Sequence, residues 1–263
     1  MAAIRVEREA GLVTVTIDRP EKKNAIDASA WNELDAVFAG LAIDPDARAL
    51  ILTGAGGNFS AGADLTGGKP GMGLTGRPLL PMVDEMRVVG EIVLRLARMP
   101  KPTLAKVDGV CIGVAMGLAL ACDLVLASDR ARFSEIFAKR GLALDGGNSW
   151  LLPRRVGLHK AKELAFFGDV IDAKEAERIG LVSQVVPHES LLPTARALAG
   201  KIAANPPLAL RYMKEGLRRA QSSDPHELGG WVSQTLATLF QTEDHREGVR
   251  AFLEKREPKY SGR

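Results

Sequence analysis

With 263 residues, 46% of them hydrophobic and 25% charged, the chain has the composition of a folded globular protein, which excludes a disordered or fibrous one. Its formal charge of +3 comes from bases dispersed among acids, so global electrostatics name no partner, and two cysteines in an apolar run exclude a disulfide scaffold. No apolar stretch is long enough to span a bilayer and the first residues lack a signal-like pattern, so a cytoplasmic location is expected.

Residues 3–8 and 11–17 are β-rich around a Gly-containing break, which predicts an opening hairpin. Trp31, Leu34, Val37, Phe38 and Leu41 then fall at helical spacing, and RALILTG reads as a short buried strand. Segment 66–81 is too rich in Gly and Pro for a regular element; it reads equally as a loop beside a functional site or as a plain surface connection. A helix over 82–98 leads to the strand TLAKV, a Gly-containing turn, a small-residue helix from Gly113 and the strand DLVLAS. Strands and helices alternate to about residue 187 in the style of stacked ββα turns, and from about 189 the pattern is wholly helical. The expected organisation is a core over 1–188 and a helical region over 189–263, which without a sheet of its own must bury its apolar faces on that core or on another subunit.

Three segments can carry chemistry. GAGGNFSAGADL (54–65) is nearly devoid of side chains, so a ligand can approach main-chain N–H groups; a tight turn with Asp64 capping a helix is the alternative. In VDGVCIGVAMGLALACDLVLAS (107–128) a helix opens near Gly113, and its first N–H groups favour negative charge unless the small residues serve only close packing. In FAKRGLALDGGNSWLLPRRVG (137–157), Asp145 follows apolar residues that would desolvate it and raise its proton affinity; an N-cap is the alternative.

In joint order and spacing these segments, with RPEKKNAID near the start, the run AERIGLVSQVVP and the ending EDHREGVRAFLEKREPKYSG, resemble the crotonase (enoyl-CoA hydratase/isomerase) superfamily along almost the whole chain. The resemblance implies an α/β spiral of repeated ββα units with a C-terminal helical region, forming homotrimers or dimers of trimers. It implies an acyl-CoA thioester as substrate, with coenzyme A part of that substrate and no separate cofactor or metal. It places two polarising main-chain donors at Ala61 and Val114, where Val114, in a position usually held by Gly or Ala, is expected to narrow the space near the thioester. Coenzyme A contacts are implied at Lys23, Ala25, Ala61, Ala63, Asp64 and Leu65.

The hydratases of that superfamily carry two glutamates, at positions held here by Gly117 and Phe137, whereas branches that isomerise enoyl-CoA or epoxidised aromatic acyl-CoA have an Asp where Asp145 stands. The implied reaction is therefore a double-bond shift with Asp145 as acid and base, in fatty-acid or aromatic acyl-CoA catabolism. Enoyl-CoA hydration and acyl-CoA hydrolysis, with water activated by Asp145 or Glu135, are the alternatives. Glu135 and Asp64 are also secondary acid candidates, and Lys22, Lys23 and Lys255 are candidates for the phosphates. A dehalogenase-like branch needs a histidine on the helix before the second segment, and residues 81–98 contain none. His159, His188, His226 and His245 lie outside the three segments and read as surface residues. Arg154-Arg155 and Arg218-Arg219 would serve a non-catalytic RNA-binding relative, a distant reading for lack of interleaved aromatics. Neither nucleic acid nor membrane is an expected partner.

Overall fold

In the computed structural model, residues 2–66 and 79–263 are described. Strands β1 (Ile4–Glu9) and β2 (Leu12–Ile17) form the antiparallel hairpin, with Ile4 opposite Ile17. Helix α1 (Ala28–Ile43) starts where the Asp27 side chain accepts the Ala30 N–H, and it buries Trp31, Leu34, Phe38 and Leu41. It returns the chain to β3 (Ala49–Gly54), parallel to β2. Helix α2 (Leu79–Ala97) begins three residues earlier than the Pro-containing sequence predicts. Most of the Gly/Pro-rich segment, residues 67–78, lies outside the described residues.

From there each turn of the chain gives one strand to each of two sheets. Strands β4 (Thr103–Val107) and β6 (Leu124–Ser128) join the large sheet; β5 (Val110–Ile112) and β7 (Arg132–Ser134) pair in parallel in the small one. Helix α3 (Val114–Ala121) returns the chain between the two turns, and all eight of its residues are buried, as an all-apolar helix requires. Helices α4 (Asn148–Val156) and α5 (Leu158–Phe167) follow, then β8 (Ile171–Asp172), α6 (Ala173–Arg178) and β9 (Gln184–Val186). The described residues make a six-stranded sheet in the order β1-β2-β3-β4-β6-β9, parallel except at β1, and a three-stranded sheet β5-β7-β8. This is the predicted α/β spiral.

Helix α7 (Leu191–Ala203) sets Leu191, Ala195 and Ala199 against Ile51, Leu104 and Leu126, covering the second face of the large sheet. A boundary at residue 189 would cut this helix from the core that it completes. The helices after it behave as an appendage. In α8 (Pro207–Arg219), α9 (Pro225–Leu239) and α10 (Glu243–Glu254) the buried positions are Thr235, Asp244 and Ala251, while Met213, Leu217, Phe252 and Leu253 are exposed. An apolar cleft of about 480 Å³ runs among these three helices, lined in part by Leu208, Leu236, Phe240, Val249 and Tyr260. None of the described helices is long and apolar enough to cross a membrane.

Candidate active site

Residues 60–64 run between two neighbouring segments that consume their amides one by one. Ser60 donates to the Val110 carbonyl at 3.0 Å and accepts Ile112 N–H at 3.1 Å. The Ala61 N–H turns the other way, to the Lys23 carbonyl at 2.9 Å, and Asp64 N–H meets Ile26 at 2.9 Å. Gly62 N–H is held by the Ser60 hydroxyl at 3.1 Å. Gly62 itself sits at φ +93°, which turns the next peptide over. The Ala63 N–H is then left with no acceptor among the described residues. Ala61 is therefore not a free donor as the motif alignment implies, because Lys23 already takes its proton; the free amide of this segment is Ala63.

The second amide belongs to Val114, the first residue of α3, and nothing among the described residues accepts it. Gly113 before it has φ +59° and ψ −125°, a conformation closed to side chains, and its N–H is held by Ser134 at 2.8 Å. A Cβ at Gly62 would lie 3.9 Å from the Val114 nitrogen, so the two segments carrying free amides are in direct contact.

The carboxylate comes from the loop over the same helix end. Val114 and Gly117 share a face of α3, and the 145–147 loop lies on that face. A Cβ at Gly146 would be 2.4 Å from Val114 Cγ2, and one at Gly117 would be 2.1 Å from the Gly146 carbonyl oxygen. The Val114 side chain thus packs under the loop. Asp145 does not cap α4; Gly147 occupies that position. Its Oδ1 accepts the Gly146 N–H, and partial burial pushes its pKa above the usual carboxylate value despite that bond. Asp145, Val114 and the segment of Ala63 are brought together, and Phe137, in the second glutamate position, is buried with its ring tip 3.8 Å from where a Gly113 Cβ would stand.

Other candidates have structural duties. No helix begins at Asp64 among the described residues; its carboxylate is clamped by Arg19 at 3.0 Å and Lys22 at 2.8 Å, hydrogen-bonded to Thr66, and held far below the usual range, with Lys22 the largest cause. It is an anion at all working pH values and no proton carrier. Lys22 is spent on that clamp, whereas Lys23, in the left-handed conformation, keeps an exposed side chain. Ala25 is buried and its carbonyl accepts Arg19; Leu65 is exposed. The four histidines are exposed, and His188 pairs with Asp108 at 3.0 Å. No group of His, Cys, Asp and Glu that could hold a metal ion occurs among the described residues. The basic pairs do have aromatic neighbours, contrary to expectation, but as internal partners: Arg154 stacks on Trp150 and Arg219 on Trp231, while Arg155 closes the end of α3 through the Leu120 and Cys122 carbonyls.

Glu135 is different. It is 1% exposed, neither carboxyl oxygen has a partner among the described residues, and burial raises its pKa to about 8. It is neutral in the fold at pH 7, where an unfolded chain would ionise it. Its contribution to stability is thus full below the ordinary glutamate pKa and lost as pH rises toward about 8, by up to roughly 1.4 kcal/mol per pH unit. Glu135→Gln is expected to flatten that slope, leaving the variant more stable than the parent at pH 8 and closer to it at pH 5. Thermal melts at the two pH values measure this, and identical slopes would show that Glu135 is solvated.

The sequence profile described as Enoyl-CoA hydratase/isomerase matches residues 7–263. The chain is 35% identical over 262 residues to the 1,2-epoxyphenylacetyl-CoA isomerase of Escherichia coli (strain K12), covering 97% of each chain. It is also 35% identical to the short-chain-enoyl-CoA hydratase of Clostridium acetobutylicum, covering 95% of this chain and 94% of the relative. The crystal structure of an enoyl-CoA hydratase from Bacillus anthracis superposes with a TM-score of 0.93 at 30% identity, over 99% of this chain and 100% of that one. One from Mycobacterium smegmatis superposes at 0.90, also at 30% identity, over 98% of both chains.

Proposed function

The chain belongs to the enoyl-CoA hydratase/isomerase family, and from that premise we propose that it shifts a double bond within an enoyl thioester of coenzyme A. The thioester oxygen rests on the Ala63 and Val114 amides, and Asp145 carries the proton. Its carboxylate takes a proton from C2 of a 3-enoyl thioester, the electron pair moves onto the thioester oxygen, and the same proton returns at C4 to leave the 2-enoyl product. Two preorganised donors at roughly 3 kcal/mol each are sufficient to hold the dienolate between those steps. Only a proton moves, so coenzyme A enters as part of the substrate and no further cofactor is invoked.

The observation that carries this reading is the space at Gly117. Hydration by two carboxylates needs one of them there, and the Gly146 carbonyl lies 2.1 Å from where its Cβ would be. The position is occupied by backbone as well as lacking an acid. Water addition or thioester hydrolysis with Asp145 activating the water is the second reading, favoured by the hydratase names of several relatives. A panel of 2-enoyl and 3-enoyl thioesters tests both: migration of the 3-enoyl bond, with slow or no water addition to the 2-enoyl compounds, is the expected result, and fast hydration would reverse the choice.

The apolar Leu142, Leu144 and Trp150, neighbours of Asp145 in sequence, support a fatty or aromatic acyl group, and the name of the Escherichia coli relative supports the aromatic case. Two buried free thiols, Cys111 and Cys122, with pKa values raised by burial, are in keeping with the cytoplasmic location proposed for the chain. The outward apolar residues of α8 to α10 support assembly into a homotrimer or a dimer of trimers. Light scattering is expected to give three or six times the 28.2 kDa chain mass, and a monomer would contradict it.

A further inference from the structure

We infer that Asn148 is a positioning residue that aims and strengthens the Val114 N–H by holding the other end of the same peptide bond. This rests on the proposed acyl-thioester chemistry. Asn148 is fully buried, and its side-chain Nδ2 donates to the Gly113 carbonyl at 3.2 Å. That carbonyl belongs to the peptide whose nitrogen is Val114, and it also accepts Met116 N–H at 2.9 Å. Withdrawing electron density at the oxygen makes the N–H a better donor, and two donors on the oxygen fix the plane of the peptide. Gly113 has no side chain to restrain it and lies in a region of backbone space that only glycine visits freely, so the restraint must come from outside the helix.

The second half of the argument is that Asn148 holds the carboxylate loop as well. Its own N–H donates to the Asp145 carbonyl at 3.1 Å. One residue therefore ties the loop that bears the base to the peptide that bears the donor. Its Oδ1 is buried without a partner among the described residues. A side chain retained for packing alone would not leave a polar atom stranded there.

The test is Asn148→Leu, close in size and unable to donate, read with hexadienoyl-CoA, whose absorption band moves to longer wavelength when its carbonyl is polarised. The expected result is that kcat for bond migration falls about 10- to 100-fold with KM changed by less than about threefold, and that the band shift seen with the parent protein largely disappears although the thioester still binds. Loss of packing alone would lower the melting temperature without moving the band of bound ligand. Should the leucine variant fail to fold, Asn148→Ala is read in the same way. A full band shift in a folded variant overturns the role of Asn148 while leaving the donor pair intact. A bound ligand with no shift in the parent protein overturns the donor pair itself, and this inference with it.

Discussion

Asp145→Asn is expected to lower kcat for bond migration by about 10²- to 10⁴-fold while KM stays within a few-fold, because the amide keeps the shape of the carboxylate and cannot take a proton. The fold should be unharmed or slightly firmer. Among the described residues the Asp145 carboxylate has no cationic partner, its hydrogen bond comes from its neighbour Gly146, and burial disfavours its charge. The pH profile of the parent enzyme carries the same information. The carboxylate must be ionised to act as base, so activity is lost on the acid side and rises with pH through the Asp145 pKa, which burial places above the ordinary carboxylate value. Turnover of the variant at the parent rate, or an acid limb at the ordinary aspartate pKa, would remove Asp145 from the role.

Gly117→Glu, the substitution that sequence comparison with the hydratases invites, is expected to abolish migration without conferring hydration. A Cβ at residue 117 would fall 2.1 Å from the Gly146 carbonyl oxygen, and that atom is backbone and cannot rotate aside. Overfilling a packed interior costs about 1–3 kcal/mol even where side chains can adjust, so a loss at or beyond the upper end is expected, with a melting point several degrees lower. Since the displaced loop carries Asp145, activity should fall even where the protein still folds. Gly117→Ala already introduces the offending atom and should show most of the effect. A well-folded Gly117→Glu protein that adds water to 2-enoyl-CoA would disprove the account of the loop.

Much of this was legible before any coordinates. The hairpin, the α1 stripe from Trp31 to Leu41, the strand pairs and the helical ending follow from periodicity and breakers, and the three glycine-rich segments stand out because they lack side chains. What stayed hidden depends on peptide orientation. Whether residue 61 or 63 presents its N–H is decided by the positive φ of Gly62 and by the Lys23 carbonyl, and neither leaves a mark in the spacing of AGAD. Asn148 was missed for a related reason, since an Asn after two glycines reads as an ordinary helix start. Its burial, which singles it out, is seen only in the fold. Asp145, with its chemistry in the side chain, was visible from the start.

The alternation of strands between the two sheets places the end of β3, the end of β5 and the stretch after β7 beside one another, and each of these successive windings delivers one part of the site: the Ala63 amide, the Val114 amide and the Asp145 carboxylate. Cradle and reagent are thus supplied by separate lengths of chain. A lineage built this way can exchange the reagent by changing single side chains on the later windings, here at positions 117, 137 and 145, while the main-chain cradle persists whatever side chains surround it.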